Sequence, residues 1–386
     1  MRRFLLTTIV FLFVIHLQAS DDLEMSLLTC SKGKDLYSAF GHTALRVIDH
    51  KKGTDVVYNF GLFNFNTPYF YSKFVKGRLK YRLGQHSMHE FIGIYDSQHR
   101  TIWEQKLNLP EAAKCQIADT LKYLYKPENR YYLYHFLDKN CTTEIRDLIF
   151  RALDLDHTLK QKSTRTTYRK MLGFYLQNRP WVKAGIDLVT GSKLDTTVNQ
   201  YQHMALPKML MDGVDTVTIN GHPLVSKKRI VLEVTGKHQN YYRHLSPQWI
   251  LTLLLLLWVS FKPRFFVPTV WLLTSLTGAF ILLLQIVSEH TELLSNWNLL
   301  WVQPLYFLLL VPQIRQNKAF SRLLVIVFML AMVLRLIIAV TGAQLIPWAL
   351  TPWMIMLTIS LLDSAWPLRV RQFIPLVRKG ARSTLD

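Results

Sequence analysis

A thiol, an imidazole and a carboxamide in this chain have types and settings that could make a nucleophilic site: Cys141, His42 and Asn59. Asn140 is a strong N-cap, and Ile145, Leu148, Ile149 and Leu153 behind it form an apolar stripe, so a helix is predicted to start at Cys141. A thiol in a first helical turn lies among free backbone N–H groups at the positive end of the helix dipole, which favours thiolate over thiol. The same N–H groups could hold an oxyanion. A base is still needed, and His42 stands at the start of a predicted strand, after a glycine that lets backbone approach closely. Asn59, on the next predicted strand, would orient the imidazole if the two strands pair with both residues on one face. His135, shortly before Cys141, competes for that place. By spacing alone the trio is a weak signal, and a structural reading stays as open as a catalytic one.

The elements that must position these residues are a mixture of strands and helices. Segments 43–48 and 55–60 are rich in β-branched and aromatic residues and flank a charged turn containing Gly53, so they are predicted as a hairpin. A third strand is expected over 101–109. Pro110 then opens a helix with Ala113, Ile117, Leu121 and Leu124 on one face. Beyond Asp187 the pattern reads as irregular. Arg46 shares a strand face with His42 by the two-residue period and could meet a phosphate or carboxylate, or pair with an acid such as Asp147. Tyr58, Phe60, Phe63 and Phe65 could line an acyl groove or simply fill the core.

Both ends of the chain point to a membrane. Residues 1–20 carry Arg2 and Arg3, an apolar run from Phe4 to Leu17, and small residues at Ala19 and Ser20, the pattern of a secretory signal peptide. A domain over 21–244 is then expected outside the cytoplasm. From residue 245 to 364 the chain changes to apolar stretches at 246–261, 267–287, 299–313, 320–341 and 345–363, read as five membrane helices, with a basic tail over 365–386. The positive-inside rule supplies an independent test. Lys262 and Arg264, then Arg315, Lys318 and Arg322, then Arg369, Arg371, Arg378, Lys379 and Arg382 fall in the loops and tail that five spans place in the cytoplasm. The opposite loops, 288–298 and 341–345, contain neither lysine nor arginine. Within the fourth stretch Arg335 is a lone charge, which should face protein or water and could attract a lipid headgroup or bond to a neighbouring helix end.

The formal charge of +20 is accompanied by no zinc-finger spacing, basic helix or recognition motif, so nucleic acid is not the expected partner. Three cysteines, Cys30, Cys115 and Cys141, make an odd set in an oxidising compartment, and at least one thiol must be left over. No zinc-protease motif, CxxC or nucleotide loop is present.

Four segments carry a resemblance: Leu27-Leu-Thr-Cys-Ser-Lys-Gly33, Ser38-Ala-Phe-Gly-His-Thr-Ala-Leu-Arg46, Val57-Tyr-Asn-Phe-Gly-Leu-Phe63 and Asp138-Lys-Asn-Cys-Thr-Thr143. Together with Pro180-Trp181, Gly185-Ile-Asp187, Gly191-Ser192, His290-Thr291 and Asn296-Trp-Asn298, they resemble a family of bacterial lipoprotein N-acyltransferases that join a periplasmic domain to a membrane-embedded C-terminal part. The family's order, histidine first and cysteine later, resembles circularly permuted papain-like folds such as the lecithin:retinol acyltransferase-like enzymes.

The resemblance implies an α+β permuted papain-like extracytoplasmic domain followed by an all-α five-helix transmembrane domain, in the bacterial inner membrane with a cytoplasmic C-terminus. It makes Cys141 the nucleophile, His42 the base and Asn59 the orienting group; Ser38, His290 and Asn298, which lie in the resembling segments, join Arg46 and Arg335 as candidate substrate-binding residues. The implied reaction takes an acyl chain from a phospholipid through a Cys141 thioester to the N-terminal amine of a lipid-modified lipoprotein, with no metal or organic cofactor. Two other readings remain: a membrane-anchored papain-like hydrolase of amides or peptides, in which water replaces the amine, and a non-catalytic membrane scaffold.

Overall fold

In the computed structural model the described residues are 22–234 and 245–366, so the expected signal peptide and basic tail lie outside them. The chain forms two compact units. One holds the residues up to Thr166 and those from Thr197 to the end of the first described stretch; the other holds Thr167–Thr196 and the C-terminal residues.

The first unit is an α+β domain built on a seven-stranded sheet. Its strands are β1 (Leu23–Cys30), β2 (His42–Asp49), β3 (Thr54–Leu62), β4 (Lys80–His86), β5 (Ile102–Leu107), β6 (Tyr131–Leu133) and β7 (Val225–Leu232). They lie in the order β7-β5-β1-β2-β3-β4-β6, and every neighbouring pair is antiparallel. The predicted hairpin is β2 and β3, and its register sets Leu45 opposite Tyr58 and Val47 opposite Val56.

Alternation along the strands divides the core into two layers. On one face Met25, Leu27, Leu45, Val47 and Phe60 pack with α2 (Glu111–Tyr125), α3 (Cys141–Ala152) and α4 (Pro207–Val214). On the other, Leu28, Cys30, Ala44 and Val57 pack with Phe91 and Tyr95 of α1 (Met88–Ser97). Tyr58 and Phe60 are therefore core, whereas Phe65 stands exposed beyond the strand.

The segment after Asp187 is more ordered than its pattern suggests. It includes α4, opened by Pro207, and the edge strand β7 against β5. The run Ser226-Lys-Lys-Arg229 hides the strand from a hydrophobicity reading because an edge exposes charged side chains to water.

The second unit is helical. Three apolar stretches, Phe266–Val287, Lys318–Val340 and Trp348–Ala365, are long enough to cross a membrane, and Pro247–Phe261 is a shorter apolar helix. The expected helix over 299–313 is replaced by a 3₁₀ helix at Pro304–Leu310 followed by a short helix at Pro312–Gln316. Proline opens each piece, and because it lacks an N–H it restarts the backbone ladder rather than continuing it. Trp301, Tyr306 and Leu309 of this segment are buried all the same. The backbone of Val302 and Gln303 lies so close to Gly278 that a Cβ there would come within 2.7 Å of it.

Candidate active site

The site begins with a capped helix. Asn140 Oδ1 accepts from the N–H groups of Thr142 at 2.8 Å and Thr143 at 3.0 Å, while its own N–H donates to Thr143 Oγ1 at 2.7 Å. Its Nδ2 donates to the carbonyls of Phe136 and Ala205, at 2.8 and 3.1 Å, which anchors the cap to two separate chain segments. Cys141 is the first residue of α3 and is buried. The cap uses the Thr142 and Thr143 N–H groups, so the helix start has fewer free donors than an uncapped first turn would. The N–H groups of Thr142, Thr143 and Glu144 all have acceptors in Asn140, which makes the Cys141 N–H the candidate oxyanion donor of this turn.

His42 opens β2 after Gly41, whose φ of +82° places its backbone where a Cβ would meet the Cys30 carbonyl at 2.7 Å. No other residue type enters that turn without strain. His42 Nε2 donates to Asn59 Oδ1 at 2.5 Å. A carboxamide oxygen can only accept, so the bond sets the tautomer: Nε2 carries the proton and Nδ1 is the basic nitrogen. Asn59 is buried in β3, and His42 stacks on Tyr95 at 6.2 Å between ring centroids. The imidazole is thus held at an edge and over a face. His135 is bridged through its backbone to Lys139 instead.

Burial pushes the Cys141 thiol up, but the charge and hydrogen bond of His42, with the Thr43 N–H and the Thr142 hydroxyl, bring it down to about 7 from 9.0. Thr43 Oγ1 and Thr142 Oγ1 are 3.0 Å apart, which ties β2 to the helix start. Cys30 shows the opposite case. It pairs with His42 across β1 and β2, and its burial, only partly offset by Arg100 and Tyr95, pushes its thiol up to about 12. All three cysteines are free, and Cys115 is exposed. Of the two buried thiols, Cys141 is the one poised to ionise near neutral pH.

Two further residues belong to this site and were not singled out by sequence. Gly61 sits where β3 leaves its register with β4, at φ +86°, and a Cβ on it would touch Cys141 Cβ at 3.4 Å. Tyr132 points its hydroxyl toward the same place, about 4.0 Å from that Cβ position. This hydroxyl is buried and makes no hydrogen bond of normal geometry, with only the Gly61 N–H beside it. Burial also holds the phenol well above its ordinary range, so it is a neutral O–H donor. No spacing rule marks either residue; the only sequence signal was a glycine inside a predicted strand, which often signals a bulge.

The other expected residues have protein partners. Arg46 is bound by Asp55 at 2.6 and 2.8 Å and by Glu104 at 2.9 Å, with Asp147 engaged elsewhere by Arg146 and Tyr201. Its guanidinium is thereby committed to the sheet rather than offered to a ligand. Ser38 donates to the Asp35 carbonyl at 3.0 Å in a turn against Gly33.

In the second unit, Arg335 is fully buried and donates to Asn298 Oδ1 at 3.0 Å and to the carbonyls of Gln344 and Leu345 at 2.9 and 2.7 Å. Asn298 in turn caps the helix Pro180–Val189 by donating to the Asp187 and Leu188 carbonyls, at 3.1 and 3.0 Å. Both residues form a structural knot. His290 Nδ1 lies 3.7 Å from Glu292 Oε1.

Residues 17–173 match the family model of the Lnb N-terminal periplasmic domain, and residues 248–369 match that of the Lnb transmembrane domain. Between them the two models cover more than half of the chain. No curated protein and no solved structure matches it.

Proposed function

We propose that this chain, which by both its periplasmic and its transmembrane domain belongs to the Lnb family, is a lipoprotein N-acyltransferase working through a Cys141 thioester. The observation that carries the reading is the thiol brought to about 7 in the first turn of a capped helix, beside an imidazole whose tautomer is set by Asn59.

In the first half-reaction His42 Nδ1 takes the Cys141 proton, and the thiolate attacks an ester carbonyl of a phospholipid. The Cys141 N–H and the Tyr132 hydroxyl hold the resulting oxyanion. Collapse breaks the ester C–O bond, and the imidazolium gives its proton to the departing lysophospholipid oxygen. In the second half, the amine of a lipid-modified cysteine attacks the thioester carbonyl and His42 accepts the amine proton. The C–S bond breaks, an amide leaves, and the thiolate–imidazolium pair is restored.

An acyl acceptor other than water suits the setting. Both substrates are anchored in lipid, so an enzyme tied to the same membrane meets them without extracting either one. The positive-inside pattern of the apolar stretches supports five membrane segments and a cytoplasmic C-terminus, with the 3₁₀ segment counted as one of the five. The fold of the first unit, an antiparallel sheet with a histidine opening a strand and a later cysteine opening a helix, supports the permuted papain-like assignment.

The test is mass spectrometry of a lipoprotein N-terminal peptide from cells lacking this protein, complemented with wild type or Cys141→Ala. An amide-linked acyl chain restored by wild type alone is the expected result. Equal acylation in all strains, in a background without a redundant enzyme, overturns the proposal.

A further inference from the structure

Beside the sheet on which α3 packs, the first unit exposes a cluster of aromatic rings. Tyr69 is 82% exposed, Tyr71 77%, and Phe65 and Tyr37 are each 56% exposed. Scattered apolar residues on a surface need no explanation, but a contiguous patch does. All but Tyr69 belong to one chain of ring contacts: centroids of Tyr37 and Phe65 lie 6.0 Å apart, Phe63 and Phe65 4.9 Å, Phe65 and Phe70 5.0 Å, and Phe70 and Tyr71 5.3 Å. They pack on one another in front of the core, not within it.

The chain segment that carries most of them bears charge of one sign, with Asp35 beside Tyr37 at the margin of the patch. Between Gly61 and His86 the ionised side chains are Lys73, Lys76, Arg78, Lys80 and Arg82, with no aspartate or glutamate. Lys80 and Arg82 alternate along β4 with the buried Tyr81 and Leu83 and so point away from the face on which Phe63 meets Tyr81, which leaves Lys73, Lys76 and Arg78 as the cations of the segment that bears the rings. The patch is also joined to the thiol. Phe63 meets Tyr81 at 5.3 Å, Tyr81 stacks on Tyr134 at 4.4 Å, and Tyr134 and Cys141 are the two side chains nearest Gly61.

We infer that this surface docks on the anionic phospholipid face of the membrane, its rings entering the interface and its cations meeting headgroup phosphates. Tyrosine and phenylalanine beside lysine and arginine is the composition that settles at a bilayer interface, where amphipathic rings bury one side and cations are attracted by anionic lipid. A protein partner fits less well, because lysine is depleted from protein–protein interfaces and two of the three cations on the ring-bearing segment are lysines. The chain of rings from Phe63 to Tyr134 then gives an acyl tail leaving the bilayer an aromatic path toward Cys141. That last step rests on the acyl-transfer reading; the docking does not.

The full-length protein, reconstituted in vesicles of phosphatidylethanolamine and phosphatidylglycerol with a photoreactive benzoylphenylalanine at position 71, tests the contact directly. Tyr123, another exposed ring on α2, is the control position. Phospholipid adducts at position 71 and not at 123 are expected, equally in the wild-type and Cys141→Ala backgrounds, so docking is read whether or not the thiol transfers acyl chains. Peptide adducts, no adduct, or equal lipid labelling at 123 overturns the inference. The variant Lys73→Glu, Lys76→Glu, Arg78→Glu should lower adduct yield about tenfold in the anionic vesicles and little in phosphatidylcholine. An equal loss in both would remove the electrostatic half of the argument.

Discussion

His42 Nε2 and Asn59 Oδ1 lie 2.5 Å apart across the β2–β3 hairpin, and this contact leaves Nδ1 as the only basic nitrogen of the imidazole. Replacing Asn59 with alanine removes the acceptor from a buried position, and the ring is then free to take the other tautomer or to turn. Acyl transfer should fall roughly 10- to 100-fold, less than the ~10²–10⁴-fold contribution of a general base itself. A single-turnover assay of thioester formation reads the loss. Unchanged kinetics would show that the imidazole is oriented by other groups.

The Cys141 thiol predicts a pH profile. Folding lowers it from 9.0 to about 7, so the folded chain binds that proton more weakly than the unfolded one. Its contribution to stability is fully present above pH 9 and is lost as pH falls through 7. Alkylation of Cys141 by iodoacetamide should rise through the same value of about 7, and in His42→Ala the rise should move toward the unperturbed 9.0, because the largest lowering influence is gone. Cys30, pushed up to about 12, should stay unlabelled at neutral pH. Quantitative peptide mapping across pH separates the two thiols, and a Cys141 profile indifferent to His42 would break the pairing.

How much of this was legible beforehand follows from which physical signals are local. Asn140 and the stripe from Ile145 to Ile149 mark a helix start within a few residues, so Cys141 fell in the first turn as expected. The hairpin was visible because its strands alternate around a short turn, and one register choice put Asn59 beside His42. Local cues were also overlooked: Ser87 and Glu90 form a capping box that announces α1. Other features depend on distant chain. Arg46 meets Glu104 through a strand order that no window of sequence contains. Gly61 and Tyr132 gain their meaning only when β3, β6 and the start of α3 converge. The 299–313 stretch is apolar enough for a helix, and composition alone does not report that Pro304 and Pro312 divide it.

Arg335 was a candidate for a lipid headgroup, and its geometry supports a different expectation. Its guanidinium joins Asn298 to the Gln344 and Leu345 carbonyls at full burial. Arg335→Ala takes their donor from the Gln344 and Leu345 carbonyls while Asn298 Oδ1 keeps Trp301 Nε1 at 3.3 Å, and a loss of about 1–3 kcal/mol is the order expected for each buried acceptor left unpaired. Thermal unfolding in detergent should drop markedly. The fraction of Arg335→Ala that remains folded should keep a wild-type KM for phospholipid; a raised KM without loss of stability would return Arg335 to the substrate.

Tyr132 offers the sharpest separation of chemistry from structure, because its hydroxyl is buried and makes no hydrogen bond of normal geometry, with only the Gly61 N–H beside it. A side chain kept for packing gains nothing from such a group, since a buried unpaired hydroxyl costs about 1–3 kcal/mol. Tyr132→Phe keeps the ring and removes only that cost, so the variant should be as stable as wild type or more so. If the hydroxyl shares the oxyanion with the Cys141 N–H, the same substitution should slow thioester formation by ~10²–10³-fold, the usual loss for one oxyanion donor. Phospholipid affinity should change little, because the bond strengthens only as negative charge develops on the carbonyl oxygen. Stability by thermal unfolding and rate by single-turnover acylation would therefore move in opposite directions. A Tyr132→Phe protein that is less stable and fully active would mean that the hydroxyl serves the fold, and the second oxyanion donor would have to be found elsewhere.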